Sequence, residues 1–306
     1  MTMTQLQSSV LESIGRTPLV ELTRFSRERI LAKLEYLNPG GSKKDRIALR
    51  MIEDAERQGQ LRPGQTVVEL TSGNTGTGLA IVCAVKGYRF VAVMSAGNSM
   101  ERARMMRALG AEVVLVPQAA GSKVGQVSGE DLALVEEATC RIMRERDAFR
   151  ADQFRLESNF LAHYCHTGPE ILAQSPYPID VFCDFAGTGG SFAGCAAAFK
   201  EANPATRCFV VEPETAQHQI QGGGYGMDPL PQIRPEHVDG ILRVSDEEAI
   251  ECTRRLARTE GIFAGFSSGA NLAAASRLLS GDFRGKTAVV MICDSGLKYL
   301  STGLWP

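Results

Sequence analysis

Asp180-Val181-Phe182-Cys183-Asp184-Phe185-Ala186-Gly187-Thr188-Gly189-Gly190-Ser191 runs an apolar, β-rich segment into a glycine turn and on into a helical pattern at 191–202. Glycines let the backbone approach an anion, and successive N–H groups at a helix start bind one, so a phosphate group is the natural guest of residues 187–191. The same order of apolar run, turn and helical pattern recurs along the chain. Strands are expected at 30–35, 66–70, 89–94, 112–116, 180–185, 207–211 and 287–292, and helices at 43–58, 75–86, 99–109, 191–202, 246–259 and 269–279. Such alternation, without internal repeats, predicts an α/β fold of parallel sheets with helices on both faces.

A chain of 306 residues suits two lobes sharing a cleft. With 44% apolar and 22% charged residues and a net charge of −2, it reads as a water-soluble protein with no electrostatic footprint for nucleic acid. Its eight cysteines form no C-x-x-C and lie mostly in apolar runs, which predicts reduced, buried thiols and a cytoplasmic setting. The start of the chain has no basic-then-apolar leader, and no apolar run approaches the ~20 residues of a membrane span, so neither secretion nor a membrane is expected. No metal is expected either: His163 and His166 have a ligand-like i, i+3 spacing but no further ligand nearby, and read as a structural pair. The small, polar run 118–129 breaks the alternation and is expected to be a surface loop, as linker or lid.

Three more turns carry chemistry. In Asn38-Pro39-Gly40-Gly41-Ser42-Lys43-Lys44-Asp45-Arg46 a Pro-Gly-Gly turn enters an amphipathic helix. A lysine in a first helical turn faces the positive end of the helix dipole, which opposes protonation and favours use as an amine nucleophile or base; a solvated lysine pair is the plain alternative. Glu69-Leu70-Thr71-Ser72-Gly73-Asn74-Thr75-Gly76 offers hydroxyls, an amide and backbone N–H groups, the donors that hold a carboxylate or cap a helix. Gly265-Phe266-Ser267-Ser268-Gly269-Ala270 opens another helix, and Asp294-Ser295-Gly296 ends the last apolar run. Gathered at the carboxyl edge of one sheet, a lysine, a carboxylate clamp and a phosphate cup imply a covalently held phosphorylated cofactor. A dinucleotide site built on Gly187, Gly189 and Glu212 competes, but Phe192 stands at its third glycine position and it leaves Lys44 and residues 71–76 without a role.

On these motifs the chain resembles the cysteine synthases, the O-acetylserine sulfhydrylases among the fold type II, tryptophan synthase β-like, pyridoxal phosphate enzymes. The resemblance runs from Gly15-Arg16-Thr17-Pro18-Leu19 to Lys298-Tyr299-Leu300-Ser301-Thr302-Gly303. The pattern N-P-x-x-S-x-K-D-R implies that Lys44 carries pyridoxal 5'-phosphate. It further implies that Thr71, Ser72, Thr75 and Gln153 bind the substrate carboxylate and Asn74 the cofactor's 3′-oxygen. Gly187, Thr188, Gly189, Gly190 and Ser191 then bind the phosphate, and Ser267 the pyridine nitrogen. Two domains are implied, a smaller mobile one at 40–150 and a larger one from 1–39 and 151–306, with the cofactor between them. The implied activity is β-replacement on an O-activated serine, giving L-cysteine from O-acetylserine or O-phosphoserine and sulfide. An amine nucleophile giving a diaminopropionate derivative, or homocysteine giving cystathionine, is the alternative. Implied partners are a small amino acid, a small nucleophile, a second copy in a homodimer, and a serine acetyltransferase tail in the cleft.

The chain departs from that pattern in places. Lys43 stands where the family usually has an apolar residue, and Arg155-Leu156-Glu157-Ser158-Asn159 replaces an Asn-Pro-rich stretch. Gln219-Ile220-Gln221-Gly222-Gly223-Gly224-Tyr225-Gly226 carries an extra glycine and a tyrosine. Arg155, Glu157 and Tyr225 are the positions expected to separate sulfide from other nucleophiles.

Overall fold

Strands whose consecutive residues are all apolar cannot leave either face in water, and that decides the layering. The computed structural model describes residues 6–122, 127–224 and 230–306. Its first half contains β1 (Leu19–Glu21), β2 (Arg29–Leu34), α1 (Lys44–Arg57), β3 (Thr66–Leu70), α2 (Asn74–Lys86), β4 (Arg89–Ser95), α3 (Met100–Ala108), β5 (Glu112–Val116) and α4 (Gly129–Glu145). The second half contains β6 (Phe149–Arg150), α5 (Ser158–Ala162), α6 (Gly168–Gln174), β7 (Val181–Phe185), α7 (Gly190–Ala202), β8 (Arg207–Pro213), β9 (Gly240–Val244), α8 (Asp246–Glu260), α9 (Phe266–Ser280) and β10 (Thr287–Ile292).

The strands form two sheets, one ordered β1-β2-β10-β7-β8-β9 and one ordered β5-β4-β3-β6. Every pairing is parallel except β1 with β2. In the larger sheet Ile30, Ala32, Val181, Cys183 and Val290 pack toward Phe266, Leu272 and neighbouring residues of α9. Their alternates Leu31, Phe182, Val289 and Met291 meet Phe192 and Phe199 of α7 on the other face. The smaller sheet divides likewise: Val67, Phe90 and Ala92 face α1 and α2, while Val68, Val91 and Val93 face α4. This is the expected α/β fold, with helices on both faces of parallel sheets.

The short strands β1, β6 and β9 and the helices α4, α5 and α6 add to what the alternation predicts. Residues 123–126 of the expected loop 118–129 lie outside the described residues. The loop ends in a capping box at the start of α4: Ser128 Oγ accepts from the Asp131 N–H, and the Asp131 carboxylate accepts from the Ser128 N–H. Among the described residues no helix is long and apolar enough to cross a membrane.

The turns do not share the edge of one sheet as expected: that after β3 belongs to the smaller sheet and those after β7 and β10 to the larger, and they face one another across a cleft with the start of α1 between them. That start is stitched to the end of β10. The Lys43 N–H donates to the Cys293 carbonyl at 2.9 Å and the Ser295 N–H to the Gly41 carbonyl at 3.0 Å, flanking a bridge between Ser42 and Asp294. The apolar face of α1, including Ile47, Met51 and Ile52, nevertheless belongs to the core of the smaller sheet. Helix α1 therefore spans both halves of the cleft wall.

Candidate active site

The approach to α1 is a mechanical device for aiming Lys44. Gly41 has a φ of 71°, the left-handed region glycine enters without strain, and a Cβ on Gly40 would lie 2.5 Å from Asp45 Oδ1. The turn can thus fold back until the Gly40 N–H donates to the Asp45 carboxylate. Asn38 locks the turn from outside, its Oδ1 accepting from the Gly15 N–H at 2.8 Å. Arg46 anchors the other flank with Nε 2.7 Å from Glu35 Oε2 and Nη2 2.7 Å from Glu170 Oε2. With Asp45 and Arg46 committed, Lys44 is left pointing into the cleft.

Lys44 Nζ donates to Thr188 Oγ1 at 3.2 Å and to Gln153 Oε1 at 3.3 Å. Burial, then the neighbouring Lys43 ammonium, push its pKa down to about 7, with Asp184 working in the opposite direction. Lys43 itself is buried, its Nζ 2.8 and 2.9 Å from the two oxygens of Asp184. Burial opposes its charge, but Asp184 holds the Lys43 ammonium well above the usual range.

On one side of Lys44 stands the expected carboxylate clamp. Thr75 Oγ1 donates to Gln153 Oε1 at 2.6 Å, and Gln153 Nε2 donates to the Leu70 carbonyl at 3.0 Å. Ser72, Asn74, Thr75 and Gln153 all line the cleft. Thr71 serves the loop from within: its Oγ1 accepts from the Gly73 and Gly76 N–H groups, each at 2.9 Å. Asn74 is held by its amide, Nδ2 donating to Asp294 Oδ2 and Oδ1 accepting from Lys298 Nζ, both at 2.7 Å. Behind the clamp, burial pushes the Glu69 carboxyl up to about 8, against the pull of Arg150, whose Nε lies 3.6 Å away.

On the other side lies the expected phosphate cup, at the N-terminus of α7. Gly189 is its cap with a φ of 84°, and the first intrahelical bond runs from the Ala193 N–H to the Gly189 carbonyl. The preceding N–H groups at the helix start have no intrahelical acceptor and suit an anion. A Cβ at Gly187 would stand 2.4 Å from the Gly222 carbonyl oxygen and one at Gly189 would stand 2.8 Å from Ile233, so side chains there would fill the cradle. Thr188 Oγ1 accepts from Asn159 Nδ2 at 2.8 Å and from Lys44, which leaves its own hydrogen for an anionic oxygen. Ser191 differs: its hydroxyl donates to Asp184 Oδ2, and what it can offer the cup is its backbone N–H, which in the first turn of α7 has no intrahelical acceptor. Ser267 also lines the cleft, beside Cys293. These donors, one reactive amine and one carboxylate clamp fit pyridoxal phosphate.

Asn159, Asp184 and Asp294 belong to this site and carry no motif of their own; only Asp294-Ser295-Gly296 gave a signal, as the end of an apolar run. Arg155 and Glu157 are exposed, with the Arg155 side chain 82% accessible beside Asp152, and neither lines the cleft. Tyr225 lies outside the described residues. Glu212, the would-be ribose ligand of the dinucleotide reading, is buried and bound to Arg243 Nε at 2.9 Å. His163 is buried with Nδ1 2.9 Å from Thr167 Oγ1, whereas His166 is exposed, and among the described residues no cluster of three or more His, Cys, Asp and Glu could hold a metal. All eight cysteines are free; five are buried, Cys140 and Cys252 are half-buried, and Cys165 is exposed.

Comparison with known proteins agrees with this geometry. The family described as "Pyridoxal-phosphate dependent enzyme" matches residues 10–294. A cysteine synthase of Staphylococcus aureus is 40% identical over 310 residues, covering 97% of this chain and 96% of that protein. An O-ureido-L-serine synthase of Streptomyces lavendulae is 39% identical over 312 residues, covering 98% and 93%. Among solved structures, the O-acetylserine dependent cystathionine β-synthase from Helicobacter pylori superposes with a TM-score of 0.89 at 31% identity, over 99% of this chain and all of that one, 100%.

Proposed function

From the premise that this chain belongs to the family of pyridoxal-phosphate dependent enzymes, as an enzyme of the cysteine synthase type, we propose that it joins sulfide to the β-carbon of O-acetylserine, giving L-cysteine and acetate. The observation that carries the reading is the position of Lys44 Nζ, bonded on one side to Thr188 of the phosphate turn and on the other to Gln153 of the carboxylate clamp. An amino acid whose carboxylate sits at Ser72, Thr75 and Gln153 would bring its Cα to that amine.

Pyridoxal phosphate supplies an electron sink for the charge left at Cα when a proton is removed. The chain's own residues do the rest. The N–H groups of residues 187–191 and the Thr188 hydroxyl would hold the phosphate, Ser267 the pyridine nitrogen and Asn74 the 3′-oxygen. Lys44, with its pKa pushed down to about 7, has a large unprotonated share at neutral pH and takes the Cα proton. Because Ser267 is a neutral hydroxyl, it does not hold the pyridine nitrogen protonated, which favours loss of the β-substituent over prolonged carbanion chemistry. Movement of the 40–150 unit over the substrate would exclude water from the reacting centre.

Sulfide suits the described lining. Among the described residues the lysines of the cleft are Lys43, locked on Asp184, and Lys44, and no arginine lines it to take the carboxylate of an incoming homocysteine. The near-equal identity to O-ureido-L-serine synthase supports, as the second reading, an uncharged nucleophile larger than sulfide. A cytoplasmic homodimer, able to take a serine acetyltransferase tail in its cleft, completes the proposal; light scattering of the purified chain tests the dimer.

The test of the activity is direct. The holoenzyme is incubated with O-acetylserine, O-phosphoserine or serine, each with sulfide, homocysteine or an amine, and products are identified by mass spectrometry. Cysteine formed fastest from O-acetylserine and sulfide is the expected result. Turnover of O-acetylserine only with another nucleophile would replace sulfide by that nucleophile.

A further inference from the structure

Lys43 and Asp184 are the part of the site for which the resemblance assigns no role. Both are buried, at 8% and 0% exposure, and separated by 141 positions in sequence. The Lys43 ammonium donates to both Asp184 oxygens and, at 3.4 Å, to the Phe185 carbonyl. Asp184 also accepts from the Ser191 hydroxyl, from Asn271 Nδ2 at 3.4 Å and from Cys293 Sγ at 3.7 Å. The pair therefore touches the phosphate turn through Ser191, the wall beside Ser267 through Cys293, and Lys44 through the chain itself. Burying an ion pair is often no more stabilising than packing apolar residues in the same volume. Stability is thus a weak reason for this pair to sit under a cofactor site.

We propose that Lys43 and Asp184 are positioning residues for Lys44: together they fix a cation beside the reactive amine and, through Ser191, orient the first turn of the phosphate cup. The proposal rests on the reading of Lys44 as the cofactor-bearing lysine. The other titratable groups around Lys44 leave this pair dominant. On α1, Asp45 is turned to Gly40 with burial pushing it up to about 7, and Arg46 is tied to Glu35 and Glu170. From β3, burial pushes Glu69 up to about 8, and its effect on Lys44 ranks below those of Lys43 and Asp184. Burial raises the Cys293 thiol to about 12 and the Cys195 thiol also upward, and it lowers His163, so these three are neutral at pH 7. Asp45, part-ionised near pH 7, and Glu69 are the same in every Lys43 and Asp184 variant; after burial, Lys43 and Asp184 act most strongly on Lys44, opposite in sign and in effect.

That opposition gives a signature no general loosening of the structure would produce. The readout is the pH profile of Lys44 labelling by an amine-selective acylating reagent, followed by peptide mass spectrometry. It is made on the full chain stripped of cofactor and shown to regain its visible absorbance on reloading. Lys43→Met removes the repelling cation and keeps Asp184, so Lys44 labelling at pH 7 should slow by about tenfold, the effect of one neighbouring charge. Asp184→Asn keeps the cation and removes its partner, so labelling should quicken. The double variant Lys43→Met/Asp184→Asn should fall between the two, and Lys43→Arg, which keeps the charge, should keep the wild-type profile. Singles that shift the profile in the same direction, or a Lys43→Met profile equal to wild type, would overturn the proposal even if Asp184→Asn fails to fold. A wrong nucleophile assignment leaves these profiles untouched, and a wrong choice of cofactor lysine shows separately, as a visible absorbance band retained in Lys44→Ala.

Discussion

Two groups of buried charge flank the first turn of α1, and they are balanced differently. On one flank Arg46 and Lys33 meet Glu35 and Glu170, two cations against two carboxylates. Lys33 Nζ sits 2.8 Å from Glu170, and Arg46 is within 2.7 Å of both acids. Thr17 donates a further hydrogen bond to Glu35 at 2.6 Å. On the other flank two adjacent lysines lie near one carboxylate, Asp184, and Lys43 alone binds it. The balanced group holds α1 in place. The unbalanced one leaves an amine whose charge is uncertain near neutrality, and chemistry needs such an amine. The helix turns one chain segment, Lys43-Lys44-Asp45-Arg46, toward both tasks at once.

The largest effect expected from breaking this contrast lies on the unbalanced flank. Lys44→Ala should lower kcat by roughly 10²–10⁴-fold or more, as loss of a general base with its covalent role implies. Its melting temperature in the cofactor-free state should stay at or above wild type, because a poorly solvated amine has been removed. Unfolding of that variant at a much lower temperature would show that Lys44 supports the fold.

The balanced flank should respond in the opposite way. Arg46→Met leaves the buried Glu35 and the half-buried Glu170 without their guanidinium, and breaking such a buried pair costs about 3–5 kcal/mol. Urea unfolding would read it as a lower midpoint. The pH dependence follows from the acids. Burial works against their ionisation, but Arg46 holds Glu35 below the usual range, and with Lys33 it holds Glu170 at about 2. A carboxyl whose folded pKa is depressed stabilises the fold above its unfolded pKa and loses that contribution as pH falls through the folded value. Stability should therefore decline between about pH 4.5 and about pH 2 in the wild type, and much less in a Glu35→Met/Arg46→Met double variant. An unchanged acid limb in that double variant would assign acid unfolding to other groups.

How much of this was legible in the sequence depends on how local each feature is. Lys44, the 71–76 loop and the 187–191 turn are contiguous motifs whose spacing is their geometry, and the structure brings them into one cleft. The roles inside them are less legible: the Ser191 hydroxyl looks like a donor to a ligand but gives its hydrogen to Asp184, and Thr71 Oγ1 also accepts from the Gly73 and Gly76 N–H groups, partners that only packing supplies. Asp184 and Lys43 are 141 positions apart and Asn159 and Thr188 are 29 apart, and no periodicity connects them. In the fold, the seven long apolar strands follow from composition. The edge strands β1 and β6, three and two residues long, are too short to show a period. The 17-residue α4 hides its apolar face, Val135, Ala138 and Ile142, among charged neighbours, and its clearest mark is the capping box at Ser128 and Asp131.

A smaller effect should follow within the clamp. Thr75→Val keeps the shape but removes the hydroxyl that donates to Gln153 at 2.6 Å. Loss of a hydrogen bond of about 0.5–1.5 kcal/mol should raise KM for the amino-acid substrate by roughly 2-fold to 10-fold. The effect belongs in KM if the clamp holds ground state and transition state alike, so a fall confined to kcat would move Thr75 from binding to catalysis.

The smallest effect comes from a charge pair whose geometry matches that of the buried Arg46–Glu35 pair, itself two-pronged at 2.7 and 2.8 Å. Arg146 and Glu112 form a two-pronged bond of 2.6 and 2.7 Å, the arrangement that makes Arg–carboxylate contacts strong. Their side chains are 40% and 49% exposed, so water screens the attraction and already solvates both groups in the unfolded chain. Arg146→Ala should then change stability by less than about 1 kcal/mol, and 1 M salt should remove most of even that. Exposure, not bond length, separates this pair from Arg46 and Glu35. A loss for Arg146→Ala approaching that of Arg46→Met would mean that burial is not what gives the α1 flank its strength, and the contrast between the two sides of the helix would have to be rebuilt on geometry.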